Sequence, residues 1–279
     1  MNAVKRIGDL ALEAMLIEVS VTPKPGLVDK NNSGAHSDMD FFTFMKSAAS
    51  LRSCFEKCAD VGFKADDLKN TWPALRKIGL EAEKDMFKAT NNVNTHKGEI
   101  FSLGILSASA GFFYKHEKFF DAERILKLVA EMSEGLCNDL HNAKTKPPEI
   151  LTKGERVFIK YGVTGARGEA ESGYAIVKNY GLPVLKEFLE RGMTLNDAMT
   201  LTLLNIIAHN DDSNIISRHD LKTCEYAKTQ ALKIFNALKK DYDPEKILML
   251  DRDFIARNIS PSGSADLLAV TYFLHALEN

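Results

Sequence analysis

The sequence lacks the features that mark several large classes of protein. It has one tryptophan and no excess of either charge, since 36 basic residues face 38 acidic ones. Nucleic-acid-binding surfaces are usually accompanied by a basic excess, so its absence argues against such a surface. No apolar run approaches the roughly 18 residues of a membrane span, and one of the longest is LLAVTYFL at 267–274. We therefore expect no nucleic-acid partner and no membrane partner.

Disulfide and secretion signals are also missing. The four cysteines form no CxxC pair, and two of them, Cys54 and Cys58, lie one helical turn apart. This spacing favours reduced, structural thiols. The N-terminal segment alternates charged and apolar residues and has no signal-peptide core. A cytoplasmic location is expected.

Common nucleotide-binding and hydrolytic motifs are absent as well. The chain contains no GxxxxGK[ST], GxGxxG, HExxH or GxSxG sequence. Each of those motifs places phosphate-binding amides, metal ligands or a nucleophile on a defined turn or helix. Any nucleotide site in this chain must be built in another way.

Most of the sequence repeats apolar residues with the 3.6-residue period of a helix. This pattern predicts an all-α fold, a single globular multi-helix domain over 1–279. Asp121, Thr194 and Asp243 are predicted helix starts, and Ser37 with Asp40 resembles a capping box. Residues 155–163 read as a short strand or a connector, and 141–155 as an irregular connection. Helices are expected at 3–20, 38–58, 66–88, 98–115, 121–136, 169–179, 183–191, 195–209, 219–239, 244–256 and 264–277.

Five short polar segments interrupt these helices and carry the unusual chemistry. Each combines Gly, Pro or Asn with charged residues, which suits one site assembled from inter-helix loops around a phosphorylated ligand and a divalent metal. We call them the first to fifth polar segments, in chain order: TPKPGLVDKNNSGAHSDMD (22–40), NNVNTHKG (91–98), GARGEAESG (165–173), HNDDSNIISR (209–218) and SPSGSAD (260–266).

In the first two polar segments, cations lie in loops that lead into a helix. Two prolines flank Lys24 and stiffen its turn, and His36 shares that loop. Asp38 and Asp40 follow, although a helix N-terminus alone would explain them. In the second polar segment, His96 and Lys97 stand at a helix N-terminus, where cations are unfavourable unless an anion binds nearby. A solvated loop is the alternative.

The third and fourth polar segments place carboxylates in unfavourable local settings. Glu169 and Glu171 lie among glycines, which favours a general base or a metal ligand. A surface salt bridge between Arg167 and Glu171 is the alternative. Asp211 and Asp212 follow an apolar helix at the end where its dipole disfavours negative charge. The fifth polar segment is either an ordinary N-cap or a phosphate site.

Taken together, these motifs resemble the triphosphoribosyl-dephospho-CoA synthase family. The match is carried in order by TPKPGLVD, GAHSDMDFFTF, VNTHKGEIFSLG, GARGEAESGY, DDSN…R and SPSGSADLLA. Asn91 and Asn92 stand where the family commonly has two glycines, and Ser213 stands where it often has threonine. Ser262 replaces a glycine of its SPGG motif, and Thr152–Gly154 replaces ThrHisGly.

The resemblance implies that ATP and 3′-dephospho-CoA condense with loss of adenine to give 2′-(5″-triphosphoribosyl)-3′-dephospho-CoA. This product is the prosthetic-group precursor for citrate lyase and malonate decarboxylase acyl carrier subunits. On this hypothesis a base, Glu169 or Glu171, activates the hydroxyl, while His36 or His96 serves the departing adenine. Mg²⁺ would bind some of Asp38, Asp40, Asp211 and Asp212. The expected substrate and phosphate ligands are Lys24, Asn94, Lys97, Arg167, Asn214, Arg218 and Ser262.

Two other functions fit the same residues. A helical, metal-dependent hydrolase of ADP-ribose or nucleotide glycosidic linkages would use similar acids with water as the acceptor. A nucleotide-sensing or scaffold protein would need only the phosphate ligands. A homodimer is compatible with the sequence.

Overall fold

The structure is a computed structural model that describes residues 3–279. Within this range the chain forms helices and no strand, which confirms the predicted all-α class. The assignment of 1–279 to one domain stays a prediction. The α-helices are α1 (Ala3–Ser20), α2 (Phe41–Ser50), α3 (Arg52–Lys64), α4 (Trp72–Ala89), α5 (Lys97–Glu117), α6 (Ala122–Ser133), α7 (Asn138–Asn142), α8 (Lys153–Tyr161), α9 (Gly165–Glu171), α10 (Leu182–Glu190), α11 (Leu195–His209), α12 (Ser213–Arg218), α13 (Leu221–Leu238), α14 (Pro244–Ala256) and α15 (Ser262–Glu278).

Three helices, α5, α11 and α15, form the centre of the fold. Their side chains are buried on most sides, because apolar and small residues surround each helix rather than forming one stripe. Helix α5 packs against α1, α3, α6 and α15, while α11 packs against α10, α13 and α15. The N-termini of α5 and α15 are consequently held at one place in the interior.

Glycines bring α3 and α5 into close contact. A Cβ on Gly62 would lie 1.8 Å from the Ala108 carbonyl oxygen, and one on Gly111 would lie 2.2 Å from the Ala59 oxygen. Neither position admits a larger residue without moving a backbone. This close packing fixes α5 along its length and therefore fixes the position of its first turn.

Three predicted helix starts are confirmed, and a fourth is corrected. Asp121, Thr194 and Asp243 each accept a hydrogen bond from a backbone amide in the first turn of the helix that follows. The predicted start at Ser37 is wrong, because Asp40 is the N-cap of α2 and forms the capping box with Thr43.

Several element boundaries also differ from the prediction. The expected helix 38–58 divides at Leu51 into α2 and α3. The 155–163 segment lies in helix α8 and beyond its end, because Thr152 and Glu155 form a capping box that starts this helix. Helix α12, within the fourth polar segment, was not predicted.

Candidate active site

Four of the five polar segments meet in one cleft of about 590 Å³. The first, second, fourth and fifth polar segments supply most of its walls, and one further residue from each of α1, α2, α5 and α8 supplies the rest together with Asn258 after α14. This volume is within the range of small-molecule binding sites. The cleft is therefore the candidate active site.

The first polar segment is fixed by two carboxylates. The Asp29 side chain accepts a hydrogen bond from the backbone amide of Lys24 at 3.0 Å. Asp251, from α14, accepts one from the Gly26 amide at 2.9 Å. Gly26 has a φ of +70°, and a Cβ there would lie 2.1 Å from the Ile259 carbonyl oxygen. The loop thus presents Lys24 on a rigid backbone.

The innermost part of the cleft, which we call the cleft floor, consists of Glu18, Lys24, Glu99 and Asp266. Lys24 and Glu18 are each 1% exposed. Their side chains form an ion pair with Nζ 2.5 Å from Oε1, and Nζ also donates to the Glu18 carbonyl oxygen at 2.8 Å. Lys24, predicted as a phosphate ligand, is thereby already paired with a carboxylate.

Glu99 lies beside a buried histidine. Its Oε2 is 3.9 Å from His96 Nε2, and within residues 3–279 neither atom has a hydrogen-bond partner. His96 Nδ1 lies 2.6 Å from the Ser47 hydroxyl oxygen, which orients the ring. Burial, and secondarily the charge of Lys24, lowers the pKa of His96 to about 3. The imidazole is therefore neutral and sits behind Glu99 rather than in the cleft wall.

Asp266 lies against the first turn of α5. A Cβ on Gly98 would lie 1.9 Å from Asp266 Oδ2, so this contact requires glycine. Asp266 lines the cleft, and its carboxylate forms no hydrogen bond or ion pair with any described residue. It is the acid of the cleft floor that is best placed to meet a ligand.

Burial and mutual repulsion disfavour the ionisation of the carboxyl groups in the cleft floor. Burial raises the pKa of Glu99 well above its usual range, and the charges of Glu18 and Asp266 add to the effect. Burial likewise raises the pKa of Asp266, with contributions from Asp212 and Glu18. The pKa of Glu18 is raised by burial and lowered in part by Lys24. One lysine cannot neutralise three carboxylates, so the protonated forms of these acids are favoured.

The outer part of the cleft carries three exposed cations, Lys97, Lys153 and Arg218, which we call the cleft rim. Lys97 pairs with Glu83 on α4 at 2.8 Å. Arg218 donates to the Ala35 carbonyl and to the Asn258 side chain, both at 2.9 Å. These two acceptors are neutral, and among the described residues Lys153 has no ion-pair partner. The cleft rim is therefore open to anions.

Four more predicted residues line the cleft near its rim: Asn94, Asn214, Ser262 and His36. The His36 ring places Nε2 2.8 Å from the Ser260 hydroxyl oxygen and Nδ1 3.8 Å from Asp38. Burial and the nearby charge of Arg218 lower the pKa of His36. A neutral histidine at this position can hydrogen-bond a base or a sugar.

The turn before α5 explains one departure from the family pattern. Asn91 and Asn92 have φ values of +55° and +67°, in the left-handed region. Glycine adopts this conformation most easily and asparagine is the next most tolerant residue. Asn91 and Asn92 therefore preserve the turn that two glycines would make.

The four aspartates predicted as metal ligands are dispersed. Asp38 lines the cleft with its side chain 61% exposed. Asp40 caps α2, and hydrogen bonds from Thr43 lower its pKa. Asp211 pairs with Lys228 at 2.6 Å. Across residues 3–279, no group of three or more His, Cys, Asp or Glu side chains is arranged to hold a metal ion.

Asp212 instead links the N-termini of two helices. It is 2% exposed and accepts hydrogen bonds from the Asn214 amide at 3.0 Å and from the Ser264 amide at 2.8 Å. The Ser264 hydroxyl adds a third at 2.9 Å. Burial raises its pKa, partly offset by these bonds. The expected cation beside Asp212 is replaced by helix N-termini, which stabilise its negative charge.

The third polar segment is not part of the cleft wall as the described chain forms it. Glu171 accepts hydrogen bonds from the Gly135 and Cys137 amides, at 2.7 and 3.2 Å. Glu169 accepts one from the Ile176 amide at 3.3 Å, and burial raises its pKa to about 7. Arg167 is partly buried, and its Nη1 lacks a hydrogen-bond partner among residues 3–279. Glu169 and Glu171 thus support the local backbone, and Arg167, predicted as a phosphate ligand, does not line the cleft.

Four charged residues of the cleft were absent from the predicted site: Glu18, Glu99, Asp266 and Lys153. Glu18 follows Ile7, Ala11 and Ala14 on the apolar stripe of α1, and a carboxylate on such a stripe is an available signal. Lys153 stands in the loop where the family has ThrHisGly. Glu99 comes directly after the second polar segment, and Asp266 is the last residue of the fifth.

Comparisons with known proteins were made for the whole chain. Residues 4–279 match the family model CitG, described as ATP:dephospho-CoA triphosphoribosyl transferase. A protein of Vibrio cholerae serotype O1 (strain M66-2), named probable 2-(5''-triphosphoribosyl)-3'-dephosphocoenzyme-A synthase, is 40% identical over 276 residues, covering 97% of this chain and 88% of the relative. A Salmonella gallinarum protein of the same name is 40% identical, covering 98% and 91%.

A third relative, from Escherichia fergusonii, is named 2-(5''-triphosphoribosyl)-3'-dephosphocoenzyme-A synthase and is 40% identical, covering 97% of this chain and 90% of its own. No solved structure matches the chain significantly. None of the helices in residues 3–279 combines the length and apolar character needed to cross a membrane.

Proposed function

Because this chain belongs to the CitG family of ATP:dephospho-CoA triphosphoribosyl transferases, we propose that its cleft condenses ATP with 3′-dephospho-CoA and releases adenine. The family resemblance seen in the sequence is confirmed by the match over residues 4–279. The observation that carries the proposal is the convergence of four family motifs, distant in the chain, on one cleft. The expected product is 2′-(5″-triphosphoribosyl)-3′-dephospho-CoA.

The cleft rim suits the triphosphate of ATP. Lys97, Lys153 and Arg218 supply positive charge, and two of them have no carboxylate partner among the described residues. Asn94, Asn214 and Ser262 add neutral hydrogen-bonding groups along the same wall. Exposed cations of this kind bind phosphate oxygens by charge-assisted hydrogen bonds. The ribose and base would then extend inward, towards the cleft floor.

Mg²⁺ fits this arrangement as a companion of the triphosphate. The ion usually keeps several waters and takes one or two protein carboxylates together with substrate phosphates. Asp38 meets that requirement, because its exposed carboxylate lines the cleft beside the rim. When bound, Mg²⁺ would neutralise part of the triphosphate charge. Asp40, Asp211 and Asp212 are engaged elsewhere, so we do not include them.

The reaction itself requires a group that accepts the proton of the ribose 2′-hydroxyl and one that assists the departure of adenine. The sequence prediction gave the first role to Glu169 or Glu171. Since both carboxylates bond to backbone amides away from the cleft wall, we look for these groups among the acids of the cleft floor. His36, neutral and lining the cleft, remains a candidate for positioning adenine.

One assay distinguishes the synthase from the two rival functions, the hydrolase and the nucleotide sensor. The purified protein is incubated with ATP, 3′-dephospho-CoA and Mg²⁺, and free adenine is followed by chromatography, with each component omitted in turn. Adenine that forms only in the complete mixture supports the synthase. Adenine formed without dephospho-CoA would identify a glycosidic hydrolase, which the family match does not support. Bound ATP with no adenine would identify a sensor.

Further expectations follow from the proposal. A product of this kind would serve as a prosthetic-group precursor for an acyl carrier subunit of citrate lyase or malonate decarboxylase. We also propose a cytoplasmic location. A homodimer is tested by light scattering of the purified protein.

A further inference from the structure

We propose that Asp266 is the base that takes the proton of the acceptor hydroxyl and that Glu99 is the acid that protonates the departing adenine. The inference rests on the proposed synthase function. Its basis is the geometry of the cleft floor, where two carboxyl groups adjoin the same turn of α5 and both line the cleft.

Asp266 is the acid of the cleft floor whose carboxylate is free to act as a base. Glu18 is held by Lys24, and Glu99 is 2% exposed. Among the described residues, by contrast, Asp266 has neither a hydrogen bond nor an ion pair, and Gly98 leaves room for it. A base must reach the hydroxyl it deprotonates before its pKa matters.

Glu99 has the complementary setting of an acid. Its Oε2 is buried and unpartnered within residues 3–279, and the neighbouring imidazole of His96 is neutral. The protonated carboxyl is favoured there, because the nearest cation, Lys24, is already bonded to Glu18. A buried carboxyl that keeps its proton can donate it to a leaving group at neutral pH.

The proposed step balances. The acceptor O2′–H bond breaks and its proton moves to Asp266, while O2′ forms a bond to the anomeric carbon of the ATP ribose. The bond from that carbon to adenine N9 breaks, and its electron pair leaves with adenine, which takes the proton of Glu99. One proton then passes through solvent from Asp266 to Glu99. The enzyme is restored and adenine leaves neutral.

The charged and titratable groups facing this pair come from several elements. Apart from Lys24, they are acids or neutral groups, so the carboxyl pair holds at least one proton near neutral pH. They are Glu18 on α1, Lys24 in the first polar segment, His96 before α5, Tyr174 after α9 and Asp212 before α12.

Two variants, Asp266→Asn and Glu99→Gln, test the assignment by their pH profiles. Loss of a general acid or base lowers turnover by about 10²–10⁴-fold. The wild type is expected to show a bell-shaped profile. Asp266→Asn should lose its acidic limb and Glu99→Gln its alkaline limb. Asp60→Asn, on the exposed surface of α3 in an ion pair with Lys64, is the control and should retain the full profile.

A second substrate separates the acid from a structural role. An ATP analogue alkylated at adenine N7 releases a neutral base that needs no proton. With this analogue Glu99→Gln should turn over within about threefold of wild type, whereas Asp266→Asn should stay at least about 100-fold slower. Equal losses of Glu99→Gln on both substrates would contradict the acid assignment.

The failure of this inference is distinguishable from failure of the proposed function. If the wild type releases no adenine from ATP in the presence of dephospho-CoA, the proposed function is wrong. If the wild type does so and Asp266→Asn retains wild-type turnover across the pH range, the synthase stands and the base is another group.

Discussion

The cleft floor and the cleft rim carry charge in opposite ways. In the floor, one buried lysine faces three carboxyl groups, two of which burial keeps from ionising readily. On the rim, three exposed cations face solvent, with the carboxylates of Asp38 and Glu83 beside them. Burial makes the acids of the floor sensitive to protons, while exposure leaves the rim with fixed charge.

This difference indicates a division of labour. Groups whose protonation changes easily suit proton transfer, and permanent cations suit a triphosphate. The floor should therefore control the rate of the chemical step, and the rim should control the affinity for ATP. The predictions below test this difference between the floor and the rim.

The largest effect is expected when the buried cation of the floor is removed. Lys24→Met leaves Glu18 without its partner, and breaking a buried pair in this way costs about 3–5 kcal/mol of unfolding free energy. Urea denaturation measures the loss. The matched variant Lys228→Met breaks the surface ion pairs with Asp211 and Glu225 and should cost less than about 1 kcal/mol. Equal losses would contradict the contrast between buried and exposed pairs.

A methyl group in the floor should nearly abolish turnover. Gly98→Ala places a Cβ 1.9 Å from Asp266 Oδ2, so Asp266 must move. A displacement of about 1 Å at a reacting group can lower the rate about 100-fold, which steady-state adenine release would detect. Gly154→Ala is the control, because no described atom outside its neighbours lies within 4 Å of that Cβ. A Gly98→Ala enzyme with unchanged kcat would place the chemistry elsewhere.

On the rim, a smaller effect on binding is expected. Lys153→Ala removes an exposed cation that is free to meet phosphate, and we expect the KM for ATP to rise about tenfold with little change in kcat. The difference from wild type should shrink as salt is added, since exposed charges are screened. Lys160→Ala, on the same helix outside the cleft lining, should leave KM unaltered. A tenfold rise in the KM for ATP in both variants would indicate an effect on helix α8 as a whole.

The smallest effect concerns stability and runs opposite to activity. The pKa of Glu99 is higher in the folded state than in the unfolded state. Between these two pKa values the native state binds more protons than the unfolded state, so the free energy of unfolding falls as pH rises. Glutamine does not titrate, so the Glu99→Gln variant should not show this fall in the free energy of unfolding. We expect it to be more stable than wild type at pH 8, on the order of 1 kcal/mol, and nearly equal at about pH 3.5, below the unfolded-state pKa. Urea midpoints at both values provide the measurement.

Much of the fold could be predicted from the sequence because it depends on local signals. The apolar period and the caps at Asp121, Thr194 and Asp243 identified the corresponding helices correctly. The strand-like segment 155–163 was misjudged, since its Val, Phe and Ile residues satisfy both patterns and the deciding signal was the capping box at Thr152. Local propensity cannot rank two periods over nine residues.

The site was only partly predictable, because its assembly depends on packing between distant residues. Polar composition marked the segments that supply Lys97 and Arg218 of the rim, but not the start of α8 that supplies Lys153. The same composition marked the third polar segment, yet Glu171 satisfies the amides of Gly135 and Cys137. Glu18 was missed because it lies within a regular helix, 81 residues before Glu99 in the numbering, and only the fold brings both to the cleft.

One paired kinetic measurement tests whether the floor performs the chemistry and the rim holds the triphosphate. Adenine release is measured for Asp266→Asn and Lys153→Ala across a range of ATP concentrations at saturating dephospho-CoA. The account predicts that Asp266→Asn lowers kcat by about 100-fold or more with KM for ATP nearly unchanged, and that Lys153→Ala raises KM with kcat nearly unchanged. A fall in kcat for Lys153→Ala together with a rise in KM alone for Asp266→Asn would contradict it.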